Sequence, residues 1–153
     1  MQVMLRPALV LLTTLTTLMT SACAHAPKTG PVSLRAETVP EDKAQLSFEL
    51  LYEARGDRKV ELVLKLSVSG LEETNKLVAE TYIRHFNVES GDTRWDGFVP
   101  PRQPQTIRLL LAIPESQQSA TAIVNLNRSH DSYPLMREEI TFVVGADGMV
   151  RKE

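Results

Sequence analysis

Residues 46–52, LSFELLY, and residues 60–68, VELVLKLSV, carry the clearest pattern in the chain and decide its fold class. In both segments apolar residues recur at every second position, which is typical of a β-strand with one buried and one solvated face. Residues 55–57, RGD, lie between them and supply turn residues, so the two segments predict an antiparallel hairpin. We expect the core face to carry Leu62, Leu64 and Leu66, and the solvent face to carry Glu61, Lys65 and Ser67.

Shorter segments on both sides continue this pattern of strands and turns. Apolar and polar residues alternate at 32–37, and apolar runs occur at 106–113, 120–126 and 140–144. Residues 147–148, Asp-Gly, predict a tight hairpin turn after which the chain returns briefly.

One segment, residues 76–88, KLVAETYIRHFNV, fits two structures. Strand spacing forms an apolar face that includes Leu77 and Ile83, and helical spacing forms another that includes Tyr82 and Phe86. We predict a strand here, because the surrounding segments are all β.

Six or seven short strands without alternating helices predict an all-β fold. We expect an antiparallel β-sandwich of about seven strands with immunoglobulin-like topology. The paired cysteines and central tryptophan of antibody domains are absent, so the term describes architecture and not family membership.

The first part of the chain has the composition of a leader. Arg6 provides a positive charge, residues 8–19, ALVLLTTLTTLM, are uncharged, and small residues follow. This order predicts a signal peptide. The apolar run is too short and too rich in threonine for a membrane span, which needs about 20 apolar residues.

Ser21 and Ala22 precede Cys23, the single cysteine of the chain, just after the apolar run. This arrangement resembles a bacterial lipobox, in which the cysteine becomes the acylated N-terminus. The resemblance implies a lipid on Cys23, and Ala24 in place of aspartate implies the outer membrane. The alternative is cleavage by ordinary signal peptidase after Ala26, which leaves a free periplasmic or secreted protein.

These features divide the chain into three parts. Residues 1–22 form the signal peptide, residues 23–31 the lipidated cysteine and a tether containing proline and glycine, and residues 32–153 the β-sandwich domain. The membrane is therefore one expected partner, reached through the lipid on Cys23.

Composition excludes several classes of function. Seventeen Lys and Arg against nineteen Asp and Glu give no basic surface for nucleic acid. One cysteine permits neither an intrachain disulfide nor a cysteine-based zinc site. Phosphate-loop, nucleophile-elbow, zinc-protease and calcium-loop motifs are absent, so we expect no cofactor.

Three short motifs have simpler interpretations than the chemistry they suggest. The RGD at 55–57 matches an integrin-binding tripeptide but is explained by the hairpin turn. Residues 129–131, Ser-His-Asp, are adjacent, so their side chains diverge and do not form a catalytic triad. His25, His85 and His130 are too far apart in sequence for a local metal site.

The candidate partner-binding site is the segment 95–102, WDGFVPPR, which we predict to be a loop. Trp95, Phe98 and Arg102 are of the residue types that dominate interfaces, and prolines reduce the entropy lost on binding. The alternative is that Trp95 and Phe98 fold back and plug one end of the sandwich.

These observations favour an envelope lipoprotein whose β-sandwich binds or assembles with an envelope protein, and not an enzyme. Two alternatives remain. The first is an envelope hydrolase whose site assembles in space around His130 and Asp131. The second is a carrier of a small ligand or metal, which needs a concave pocket.

Overall fold

The structure, a computed structural model, describes residues 30–153 and contains ten β-strands in that range. The signal peptide and Cys23 lie outside the described residues. The strands are β1 (Val32–Pro40), β2 (Ala44–Ala54), β3 (Lys59–Gly70), β4 (Leu77–Arg84), β5 (Asn87–Ser90), β6 (Arg94–Gly97), β7 (Gln105–Ala112), β8 (Ser119–Arg128), β9 (Met136–Val144) and β10 (Val150–Lys152). Within residues 30–153, no helix is long and apolar enough to cross a membrane.

The strands form two antiparallel sheets of five strands each, in the orders β1-β2-β3-β7-β5 and β10-β9-β8-β4-β6. The predicted all-β sandwich is therefore confirmed, although the number of strands is ten and not seven. The order β2-β3-β7-β5 matches the A-B-E-D sheet of immunoglobulin-like domains, and β9-β8-β4 matches their G-F-C sheet. Strands β1, β6 and β10 are additions at the outer edges.

Two strands that the sequence did not predict, β5 and β6, are four residues long and lie at sheet edges. Such short strands contain too few residues for a period of two to be recognised. Between them the chain crosses from one sheet to the other at Gly91, whose φ is +86°. A Cβ at this position would lie 2.2 Å from the carbonyl oxygen of Arg108, so glycine is required for this close passage.

The predicted hairpin is formed by β2 and β3, and the segment 76–88 contains the strand β4 that we predicted. The alternation of β3 is also confirmed, since Leu62, Leu64 and Leu66 are buried. On the opposite face Glu61 was expected to be exposed to solvent. Its side chain is only 13% exposed and binds Arg55 and Arg108.

The two ends of the sandwich are distinct. The tip end, where β1 finishes, comprises the loops 41–43, 71–76, 98–104 and 129–135. The entry end, where the chain enters β1 at Val32, comprises the loops 55–58, 85–86, 113–118 and 145–149. Each group of loops is joined by hydrogen bonds that cross between the two sheets.

Candidate functional site: the tip end of the sandwich

The tip end carries large apolar side chains in contact with solvent. Leu71 is 90% exposed, Tyr133 is 83% exposed and Phe98 is 49% exposed, and each belongs to a different tip loop. Three further large apolar residues are exposed within residues 30–153, and all three lie in strands: Val32, Tyr82 and Val88. Exposed loop residues of this type are therefore concentrated at one end of the described domain.

Two of the tip loops are joined by a buried pair of hydrogen bonds. The backbone N–H of Thr74 donates to the carbonyl of Val99 at 3.2 Å, and the N–H of Val99 donates to Thr74 Oγ1 at 3.1 Å. Val99 is fully buried and belongs to the hydrophobic core. Val99 therefore closes the tip end of the core, and Phe98 beside it remains exposed.

A second network at the tip end centres on Arg128, the last residue of β8. Its Nε donates to Glu41 Oε1 at 2.7 Å, one Nη to Asp131 Oδ2 at 2.9 Å and the other to the carbonyl of Pro40 at 2.9 Å. Asn75 Nδ2 also donates to Glu41, at 3.1 Å. Arg128 thus joins the β1–β2 and β8–β9 connections, and Asn75 joins the β3–β4 connection to the same Glu41 carboxylate.

This network neutralises a buried charge. The Glu41 side chain is 3% exposed, which would be costly for a carboxylate without partners. Burial by itself lowers the pKa of Arg128, but the bonds to Asp131 and Glu41 outweigh it and raise the pKa, so the guanidinium stays charged.

Ion pairs surround the apolar residues. Lys43 pairs with Glu72 at 2.9 Å, and Lys76 pairs with Asp96 at 2.7 Å. The hydrogen bond from Lys76 lowers the pKa of Asp96.

Other tip charges are unpaired. Asp42, Glu73 and Arg102 have no ion-pair partner among residues 30–153. Exposed apolar side chains bordered by free charges have the composition of a protein-binding surface.

The structure corrects the predicted position of Trp95. This residue lies in strand β6 and not in a loop, and its half-buried side chain packs against the core. A Cβ at Gly97 would lie 3.0 Å from the indole ring, so the ring covers the Gly97 backbone. Trp95 therefore closes the sandwich beside the β6 edge, and it plugs neither end.

The other two predicted residues lie at the tip end. Phe98 and Arg102 are both exposed, and Arg102 has a left-handed φ of 61°. Phe98 therefore does not fold back as a plug, since Val99 has that position. Leu71 and Tyr133 are not predicted from the sequence, because no local pattern marks an exposed apolar residue in the loops LEETNK and SHDSYPL.

The Ser-His-Asp motif lies in the tip loop 129–135. Asp131 binds Arg128, and no hydrogen bond within residues 30–153 joins His130 to Ser129 or Asp131. The same part of the chain contains no group of three or more His, Cys, Asp and Glu residues arranged to hold a metal ion. The RGD segment forms the β2–β3 turn, with Gly56 at φ +71°.

A shallow pocket of about 430 Å³ opens beside the arginine network. It is lined by Pro40, Glu41, Asp42, Asn75, Arg128 and Asp131. Because its buried carboxylate already accepts hydrogen bonds from Arg128 and Asn75, the pocket wall is a structural network that holds the tip loops.

Comparison with known proteins leaves the functional argument to this geometry. No family model matches the chain, and no curated protein sequence is significantly similar to it.

Proposed function

We propose that this protein is a lipid-anchored bacterial envelope protein that binds a protein partner through the tip end of its β-sandwich. The observation that carries the proposal is the position of the exposed apolar residues. Leu71, Phe98 and Tyr133 lie on tip loops, at the end of the domain opposite to the point where the chain enters β1. A lipid on Cys23 would hold the entry end towards the membrane and present the tip end to partners.

The dimensions are compatible with this arrangement. Strand β1 has nine residues and spans about 30 Å at roughly 3.3 Å per residue. The eight-residue tether 24–31 reaches about 26 Å when fully extended. The tip end would therefore stand several tens of ångströms from the bilayer surface.

The tip loops are also held in place before binding. Buried bonds between Thr74 and Val99 join two of them, and the bonds of Arg128 and Asn75 to Glu41 join the β1–β2, β3–β4 and β8–β9 connections. Loops that are already ordered lose less conformational entropy on binding, which favours affinity. By analogy of fold, loops 71–76 and 129–135 correspond to the B–C and F–G loops, which form part of the binding surface in antibody domains.

Site-specific photo-crosslinking tests the binding surface. The chain offers a matched pair of exposed tyrosines, Tyr133 on the tip and Tyr82 on the outer face of β4. Benzoylphenylalanine at position 133 should yield a discrete adduct with an envelope protein, and the same probe at position 82 should not. Leu71→Ser should remove the adduct at 133. Equal adducts at both positions, or none at 133, would contradict the proposal.

The anchor is tested separately. Metabolic labelling with a palmitate analogue should tag the wild-type protein and should not tag Cys23→Ser, because Cys23 is the single cysteine. Each acyl chain contributes about 0.8 kcal/mol per buried CH₂ group, so the labelled protein should remain with membranes after salt washing. Equal labelling of both proteins would refute lipidation at Cys23.

A further inference from the structure

Strand β1 is held to the domain less strongly than the other long strands. Among the seven described strands of eight or more residues, β1 alone has no fully buried side chain. Only Leu34 and Val39 pack against the core, and both are partly exposed. The β-bulge between Ser33 and Arg35 interrupts its pairing with β2. Little apolar area would therefore be exposed if β1 separated from the sheet.

The inward face of β1 carries charges where other strands carry apolar residues. Arg35 and Glu37 are paired in register with the buried Leu50 and Phe48 of β2. Arg35 binds Glu37 at 2.8 Å and approaches Glu138 of the opposite sheet at 3.9 Å. These partly exposed ion pairs add little stability compared with an apolar core contact.

The domain is complete without β1. The four strands β2-β3-β7-β5 and the opposing β9-β8-β4 already form the immunoglobulin-like sandwich, and β1 lies outside them on the edge of β2. The connection between β1 and β2 is three residues long, 41–43, and Arg128 holds it through Glu41 and the carbonyl of Pro40. Short connections of this kind act as hinges in domain swapping.

We propose that β1 exchanges between two copies of this chain, so that each β1 lies on the β2 edge of the other copy. The occupant follows from the register, because eight residues of β1 pair with β2 and Thr38 Oγ1 lies 2.9 Å from Ser47 Oγ. Reciprocal exchange restores all of these pairs, and the change of conformation is confined to the hinge, where the bonds of Glu41 and Pro40 to Arg128 have to re-form. A β2 edge left without any strand would expose unpaired N–H and C=O groups.

The position of the hinge fixes which ends of the two copies meet. The connection 41–43 belongs to the tip end, and three extended residues span about 10 Å. Exchange therefore brings the two tip ends together, with Leu71, Phe98 and Tyr133 of each copy close to the junction. Because these residues would lie at the junction, the exchanged dimer could not bind a partner through its tip ends at the same time.

Disulfide trapping between two single-cysteine proteins tests the exchange. The two proteins are full chains in which Cys23→Ser removes the native thiol, one with Thr38→Cys and the other with Ser47→Cys. After mixing and mild oxidation, exchange should give a disulfide-linked heterodimer, because these positions face each other only when β1 of one copy lies on β2 of the other.

The matched control carries Ser67→Cys in place of Ser47→Cys. Ser67 pairs with Ser47 and lies one strand further from β1, at a distance that a disulfide cannot span. Exchange predicts several times more heterodimer with the Ser47→Cys protein than with the Ser67→Cys protein. Equal yields from the two mixtures would show random collision and overturn the proposal.

A hinge variant provides a second readout that leaves the thiol positions unchanged. Insertion of Gly-Ser-Gly between Asp42 and Lys43 relaxes the short connection and should reduce the trapped heterodimer several-fold. An unchanged yield would overturn the proposal. Neither readout requires a partner protein or the lipid, so their failure would leave the proposed function of the tip end untouched.

Discussion

At each end of the sandwich one arginine side chain joins neighbouring loops, but the groups that it binds differ. At the tip end Arg128 joins the β1–β2 and β8–β9 connections through two carboxylates and a carbonyl. At the entry end Arg58 donates to the carbonyls of Ile113, at 3.0 Å, and Pro114, at 2.8 Å, and also to that of Gln117. Its own backbone N–H donates to the carbonyl of Gly148, so Arg58 connects three loops.

The apolar residues of the two ends differ in burial. Ile113, in the entry-end loop after β7, is almost fully buried. The tip loops bury Val99 and leave Leu71, Phe98 and Tyr133 in solvent. Because hydrogen bonds hold the loops at both ends, exposure at the tip end is not the result of loose loops. This difference in burial is the basis on which we propose the tip end, and not the entry end, as the binding surface.

The largest expected difference between the ends concerns the two arginines. Arg128→Met leaves the carboxylate of Glu41 buried without its cation and should cost about 3–5 kcal/mol of unfolding free energy. Arg58→Met leaves only neutral carbonyls unpaired and should cost about 1–3 kcal/mol. Urea denaturation of both variants measures the difference.

A double variant isolates the cause. Glu41→Gln in the Arg128→Met background removes the uncompensated charge and should recover part of the lost stability. If Arg58→Met is as destabilising as Arg128→Met, or if Glu41→Gln gives no recovery, the two ends are held in the same way and the comparison fails.

A smaller effect is expected within the tip end itself, where two neighbouring residues have opposite environments. Val99→Ala removes buried methyl groups and should lower the unfolding free energy by about 2 kcal/mol. Phe98→Ala changes a half-exposed side chain and should cost about 0.5 kcal/mol or less. Thermal denaturation compares the two. A larger loss for Phe98→Ala would mean that the aromatic ring, and not Val99, closes the core.

The parts of the fold that the sequence predicts are those with long, regular patterns. The nine residues 60–68 repeat the alternation enough times to specify both the strand and its buried face. The four residues of β6 are too few to repeat the alternation, so the sequence predicts a loop at Trp95. A strand of this length is specified by its pairing with β4, which depends on residues distant in the sequence.

The candidate site was predicted only in part, for a similar reason. Phe98 and Arg102 were recognised because prolines and interface-forming residues occur together in one segment. The Arg128–Glu41 bond joins residues 87 positions apart, and no local pattern indicates it. Leu71 and Tyr133 become part of the same surface only after three loops meet at one end of the sandwich.

The smallest expected effect is a difference in pH dependence at the entry end. In the turn between β9 and β10, the hydrogen bond from Arg151, supported by the Met149 N–H, lowers the pKa of Asp147 to about 2. The ordinary value is 3.8, so the folded state favours the carboxylate more than the unfolded state does. This contribution is fully present above the ordinary pKa and is lost as the pH falls towards 2. Asp147→Asn should therefore melt below the wild type at neutral pH, with a difference that shrinks below pH 4.

At the tip end, Asp96→Asn should show the same sign, because Lys76 lowers the pKa of Asp96. Melting temperatures recorded from pH 7 downwards measure both variants, and a difference that widens on acidification would contradict this account of the two ion pairs.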